Sequence, residues 1–205
     1  RDWIKGFIVD PAGPKYFGPT TGGSYNGQPV ADRFVNGAMS VWAKEHAGKM
    51  TQNEIAAVVE FLLSQGDRTD LGPVDTELAE KGREVFESGS LDPNAEGAEE
   101  RACLQCHEMV IAGAPLGSAG MSPAPELTQY GSEAWLRDFL LNPDARHHYG
   151  SRNAMPSYKD RMSRDEFDVL VKWLRRQWLE PRAKGANVVE SHQPVARRGA
   201  GSELP

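Results

Sequence analysis

Apolar residues recur along this chain at the three-and-four spacing of a helix, and no segment alternates convincingly enough to read as a strand. Leu78, Gly82, Val85 and Phe86 line one face of a segment that Thr76 can cap and that runs to about Ser88. Ser132 opens another, with Trp135, Leu136, Phe139 and Leu140 inward. It stops at Asn142-Pro143, because a proline disfavours the helical conformation of the residue before it. A further helix over 163–178 starts at Ser163-Arg164-Asp165-Glu166, where serine and glutamate can each satisfy the other's free amide. Phe167, Leu170, Val171 and Leu174 then follow at i, i+3, i+4 and i+7. The expected fold class is mainly α.

The first 65 residues repeat part of this pattern. Residues 1–11 align without a gap on residues 133–143, pairing Trp3 with Trp135, Phe7 with Phe139 and Pro11 with Pro143. The register holds through Tyr16-Phe17-Gly18 against His148-Tyr149-Gly150. Residues 49–54 align on 161–166, so that Thr51 and Glu54 form a second capping box. Ile55, Val58, Val59 and Leu62 then reproduce Phe167, Leu170, Val171 and Leu174. Between these blocks the first copy carries 20 extra residues rich in Gly, Thr and Asn. Any two amphipathic helices look alike, but a shared Trp, Phe, Pro, Gly and capping box in one order points to duplication. The first copy has no counterpart of the helix at 76–88.

Composition narrows the classes. A chain of 205 residues suits one domain or two small ones. The apolar fraction of 39%, with five tryptophans, supplies a core, while 14 prolines and 21 glycines predict many loops. The net charge of −6 and the lack of a basic stripe argue against a nucleic-acid partner. No run of 18 apolar residues occurs, so no spanning helix is expected; the richest stretch, Ile55 to Leu63, is broken by Glu60. No signal peptide is visible, and the opening Arg1-Asp2-Trp3 reads as a mature or excised product. Residues 183–205 read as a flexible tail. His46 and His192 read as solvated.

The chemistry concentrates at Cys103-Leu104-Gln105-Cys106-His107, which holds the only two cysteines. C-x-x-C-H spacing lets two thiols add to the vinyl groups of one haem while the adjacent imidazole turns onto the iron. A zinc site would need four ligands, and the other candidates are scattered histidines. A redox disulfide belongs after a strand in a βαβ pattern, whereas an acidic, Gly-containing loop precedes this motif. Haem is attached to cysteines outside the cytoplasmic membrane in bacteria. The expected location is therefore the periplasm or the extracytoplasmic membrane face.

With the motif and its flanking helices in place, residues 76–178 resemble the class I c-type cytochromes. Gly82-x-x-x-Phe86 is similar to that family's first-helix signature, in which a small residue permits close crossing with the last helix. Ala124-Pro125-Glu126-Leu127 resembles its Gly-Pro-x-Leu segment, with alanine in place of glycine. The resemblance implies that the Pro125 carbonyl accepts the proximal His107 Nδ1–H, which orients the ring and raises its basicity. Met155-Pro156 resembles the segment that delivers the sixth ligand, so the implied iron ligands are His107 and Met155. Met109 lies too close behind His107 to reach the opposite haem face; Met121, His147 and His148 remain alternatives. Phe86, Leu127, Trp135 and Phe139 would bury the porphyrin, and each of these aromatics is also a candidate for plain core. The loop between Phe86 and Cys103 is longer than in compact members of the family.

The implied architecture is a class I cytochrome c helical fold preceded by a haem-less partial repeat of the same fold. Residues 1–67 would form the partial repeat, 68–182 the cytochrome domain and 183–205 the tail. The implied cofactor is one covalent haem c. The block Trp-x-x-x-Phe-x-x-x-Pro followed by Tyr/Phe-Gly also resembles cytochrome c domains attached or fused to cytochrome b in bacterial quinol–cytochrome c reductases. That implies electron transfer from the quinol-oxidising side to a soluble cytochrome or terminal oxidase, with association to the membrane through a complex. The alternatives are a cytochrome domain of another oxidase or dehydrogenase, and a haem peroxidase or sensor with an open sixth site.

Overall fold

The structure is a computed structural model that describes residues 1–16, 24–25, 28–29, 35–68, 70–117, 124–150, 153 and 155–177. The expected tail at 183–205, Met121, His192 and the aligned Phe17-Gly18 lie outside the described residues. The helices are α1 (Asp2–Val9), α2 (Ala38–His46), α3 (Gln52–Ser64), α4 (Thr76–Ser88), α5 (Ala98–Arg101), α6 (Glu133–Leu141) and α7 (Arg164–Leu174). Two short hairpins accompany them, β1 (Ser24–Tyr25) with β2 (Gln28–Pro29) and β3 (Met109–Ile111) with β4 (Ala114–Leu116). The fold is mainly α, and no helix among the described residues is long and apolar enough to cross a membrane.

The largest core forms where α3 crosses α4. Ile55, Val58 and Val59 of α3 and Val85 of α4 are buried together with Ile8 of α1 and Met50. Gly82 sits at the crossing: a Cβ there would stand inside the Ala57 carbonyl and against Phe61 Cβ. Beside it the Phe61 and Phe86 rings meet at 5.3 Å. Arg1 ties α1 to this unit by donating to Glu60 and to the carbonyls of Leu71 and Pro73.

The expected partner of the Gly82-x-x-x-Phe86 helix was the last helix; the structure instead pairs α4 with α3, and α7 with α6. Residue size gives the reason. Gly82 lets the two backbones approach, at the Ala57 carbonyl and beside Phe61 Cβ. At the aligned positions α7 presents Val169 in place of Ala57 and Trp173 in place of Phe61, and both are exposed. A branched side chain at that notch would hold the helices apart. The α6–α7 unit is smaller: Leu140, Phe167 and Val171 are buried together, and Arg137 of α6 binds Asp168 of α7 at 2.6 Å. Arg175, only 2% exposed, anchors this unit by donating to Asp67 Oδ1 at 2.5 Å.

Smaller differences have local causes. Asp75, rather than Thr76, caps α4, its carboxylate accepting from the Leu78 amide at 3.0 Å. The last helix ends at Leu174, short of the expected 178. The β3–β4 hairpin was not expected, because each strand is three residues long and its turn is Ala112-Gly113. Both turn residues take positive φ, 49° and 82°, as a twisted two-residue turn demands, but alanine at such a position carries no sequence signal. His46 is largely covered and lies beside the Trp42 ring, not solvated as expected.

Candidate functional site

Cys103–Gln105 form a single 3-10 turn directly after α5. The amides of Cys106 and His107 both donate to the Cys103 carbonyl, at 3.1 and 2.8 Å, which gathers the two thiols and the imidazole at one bend. Cys103 and Cys106 form no disulfide, and both are of intermediate exposure. Burial pushes the Cys103 thiol up to about 12, so it stays protonated at neutral pH.

His107 is fixed by one strong constraint. Its Nδ1 lies 2.9 Å from the Pro125 carbonyl oxygen. A carbonyl only accepts, so Nδ1 carries the hydrogen and Nε2 keeps its lone pair. Burial lowers the ring's pKa, opposed by the Pro125 bond, and the neutral imidazole is the ligating form. Residues 125–128 are themselves held against the motif. The Leu127 amide donates to the Glu108 carbonyl at 2.8 Å, and the Val110 amide to Thr128 Oγ1 at 2.8 Å.

Apolar residues close around the bend. Phe61, Phe86 and Met109 are buried in one cluster, against which Cys103, Leu104, Ile111, Leu116 and Leu127 pack. Phe86 and Leu127 thus share one cluster with Cys103, and Met109 is core. The donor set of two thiols and one neutral imidazole with its Nε2 free fits covalent attachment of a haem.

Trp135 and Met155 stand elsewhere. Trp135 belongs to an aromatic group, stacked on Phe139 at 5.0 Å and close to Tyr130 at 4.5 Å, with His148 edge-on at 5.3 Å. Met155 packs against the Leu140, Phe167 and Val171 cluster, its backbone held by both ends of the Asn153 amide. The structure therefore joins Cys103, Cys106, His107, Pro125 and Leu127, and assigns Trp135 and Met155 to two other clusters.

One group escaped the sequence reading. His147 Nε2 and His148 Nε2 both donate to Asp138 Oδ2, at 2.6 and 3.0 Å. His147's hydrogen bond holds the Asp138 carboxyl below its usual range, against an opposing effect of burial. His148 is 2% exposed, and among the described residues its Nδ1 finds no partner. These side chains, with Glu126, Thr128 and Trp135, line a cleft of about 240 Å³. The adjacent histidines were visible in the sequence; the aspartate nine residues earlier, on a half-exposed helix face, gave no signal of its own.

Comparison with family models, curated proteins and solved structures finds no match to this chain.

Proposed function

We propose that this chain is an electron-transfer c-type cytochrome carrying one covalent haem. The observation that supports this best is the His107 ring, oriented by the Pro125 carbonyl at 2.9 Å, on the same bend as Cys103 and Cys106. In this reading Cys103 and Cys106 would hold the haem through their Sγ atoms and His107 would hold its iron through Nε2. When bound, the haem supplies a one-electron ferric–ferrous couple. The protein's part is to hold the imidazole in one tautomer through Pro125 and to exclude water with Phe86, Leu104 and Leu127, which disfavours the extra charge of ferric iron. Met155 is the proposed sixth ligand on the strength of Met155-Pro156.

The proposed setting is a respiratory quinol–cytochrome c reductase at the extracytoplasmic membrane face. Electrons would arrive from the quinol-oxidising side, with cytochrome b as neighbour, and leave to a soluble cytochrome or terminal oxidase. A second reading, a haem with an exchangeable sixth position as in a peroxidase or sensor, is favoured by one observation: Met155 packs with Leu140 and Phe167 rather than with the Cys103 cluster.

Production in a host that attaches c-type haem tests both readings. One haem per chain by pyridine haemochrome is expected, with none in a C103S/C106S variant; colourless wild-type protein overturns the proposal. In the haem-loaded protein, Met155→Ala should lower the reduction potential and admit carbon monoxide to the ferrous iron. Carbon monoxide binding to the wild type at neutral pH would select the second reading.

A further inference from the structure

We propose that Asp138, His147 and His148 form a binding site for a divalent transition metal of the zinc class, separate from the haem motif. The three ligand atoms lie within 4.8 Å of one another, on residues that line the 240 Å³ cleft. Imidazole nitrogens and a carboxylate oxygen at about 2.0–2.2 Å from zinc stand about 3.3 Å apart in a tetrahedron. The 2.6 and 3.0 Å separations from Asp138 to the two imidazoles therefore need to open by about 0.7 and 0.3 Å. Three protein ligands leave a fourth position for water or for Glu126, which lines the same cleft and whose amide donates to the His147 carbonyl at 2.9 Å.

The chain carries its own comparison. In the first unit the Trp3 and Phe7 rings stack at 5.3 Å, and Tyr16 stands edge-on to both, at 5.5 and 5.7 Å. In the second unit Trp135 and Phe139 stack at 5.0 Å, and His148 stands edge-on to both at 5.3 Å. The same aromatic arrangement is thus built twice. Where the second unit has Asp138, His147 and His148, the aligned residues of the first are Gly6, Lys15 and Tyr16, with the Tyr16 ring over Gly6. Packing of the aromatics does not require the three ligand-type residues, since the first unit does without all of them. Their joint presence on one side of the cleft, with the buried His148 ring turning Nε2 to Asp138 at 3.0 Å, is a convergence of ligand atoms that aromatic packing does not demand.

Titration of the haem-loaded, chelator-treated protein with Zn²⁺ by calorimetry tests the site. Binding of one Zn²⁺ per chain is expected, weakened at least about tenfold by Asp138→Asn and by His147→Lys, the latter copying Lys15. The visible spectrum of both variants should match the wild type. Three results would overturn the site: no heat of binding up to about 1 mM Zn²⁺, affinity unchanged in both variants, or an altered haem spectrum in His147→Lys, which would put that imidazole on iron. Haem content is read from the same samples, so failure of the zinc site leaves the cytochrome reading to its own test.

Discussion

Gly82 shows how a single atom governs this fold. Glycine within a helix costs about 0.5–1 kcal/mol relative to alanine, so Gly82→Ala ought to stabilise α4 taken alone. In place, the added Cβ meets the Ala57 carbonyl and Phe61 Cβ, backbone and near-backbone atoms that cannot swing aside. Forcing atoms into a filled contact costs about 1–3 kcal/mol and sometimes more. The expected net effect of Gly82→Ala is a loss of about 2 kcal/mol, read as a lower denaturant midpoint with an unchanged slope. A neutral or stabilising result would mean that α3 and α4 do not meet at this residue. The glycine was legible in the sequence as a point of close approach; what it approaches was not. The place of Pro125 beside His107, 18 residues away, was implied only by the resemblance of Ala124-Pro125-Glu126-Leu127 to a family segment, whereas Asp138 is one acidic residue on a helix face until the fold brings two histidines to it.

Among the elements, the two capping boxes share one local design and differ in surroundings. Thr51 with Glu54 and Ser163 with Glu166 make the same reciprocal bonds, amide to carboxylate at 2.8 Å in each. Glu54 is buried, which by itself would raise its pKa. Its second oxygen also accepts from Ser90 Oγ at 2.7 Å and from the Leu91 amide at 2.9 Å, and these bonds with those of Thr51 hold it at about 2. A carboxylate depressed from 4.5 to about 2 contributes stability that is complete above pH 4.5 and is lost as pH falls towards 2, about 3 kcal/mol in all. Glu54→Gln should therefore lower stability at pH 7 and flatten its acid dependence between pH 4.5 and 2. Glu166→Gln, at an exposed cap, should leave that arm nearly unchanged. Equal slopes for the two variants in acid denaturation curves would contradict the assignment. Both boxes were readable because a cap is written within four residues. The Ser90 and Leu91 bonds were not, since they bridge 36 and 37 residues, and the β3–β4 hairpin was hidden by an alanine in a turn that usually advertises itself with asparagine or glycine.

For the whole molecule, periodicity revealed which faces are apolar but not which faces meet. Ile55, Val58 and Val59 were readable as an inward set, as were Phe167 and Val171. The choice of α3 over α7 as partner for α4 depends on side-chain volume at the crossing, a property of two segments together. Position for position, Phe61 on α3 matches Trp173 on α7; Phe61 is 3% exposed beneath Phe86, and Trp173 is 58% exposed. Truncating a buried phenylalanine costs about 3–5 kcal/mol through lost contacts and the cavity left behind. Truncating an exposed side chain away from special contacts stays within about 0.5 kcal/mol. Phe61→Ala should therefore lower the unfolding midpoint strongly and Trp173→Ala hardly at all, although the two residues hold the same place in the repeated pattern. Were α4 to lie on α7 instead, the order of the two effects would reverse, so one pair of denaturation curves decides which of the two aligned helices receives the helix that leads towards Cys103–His107.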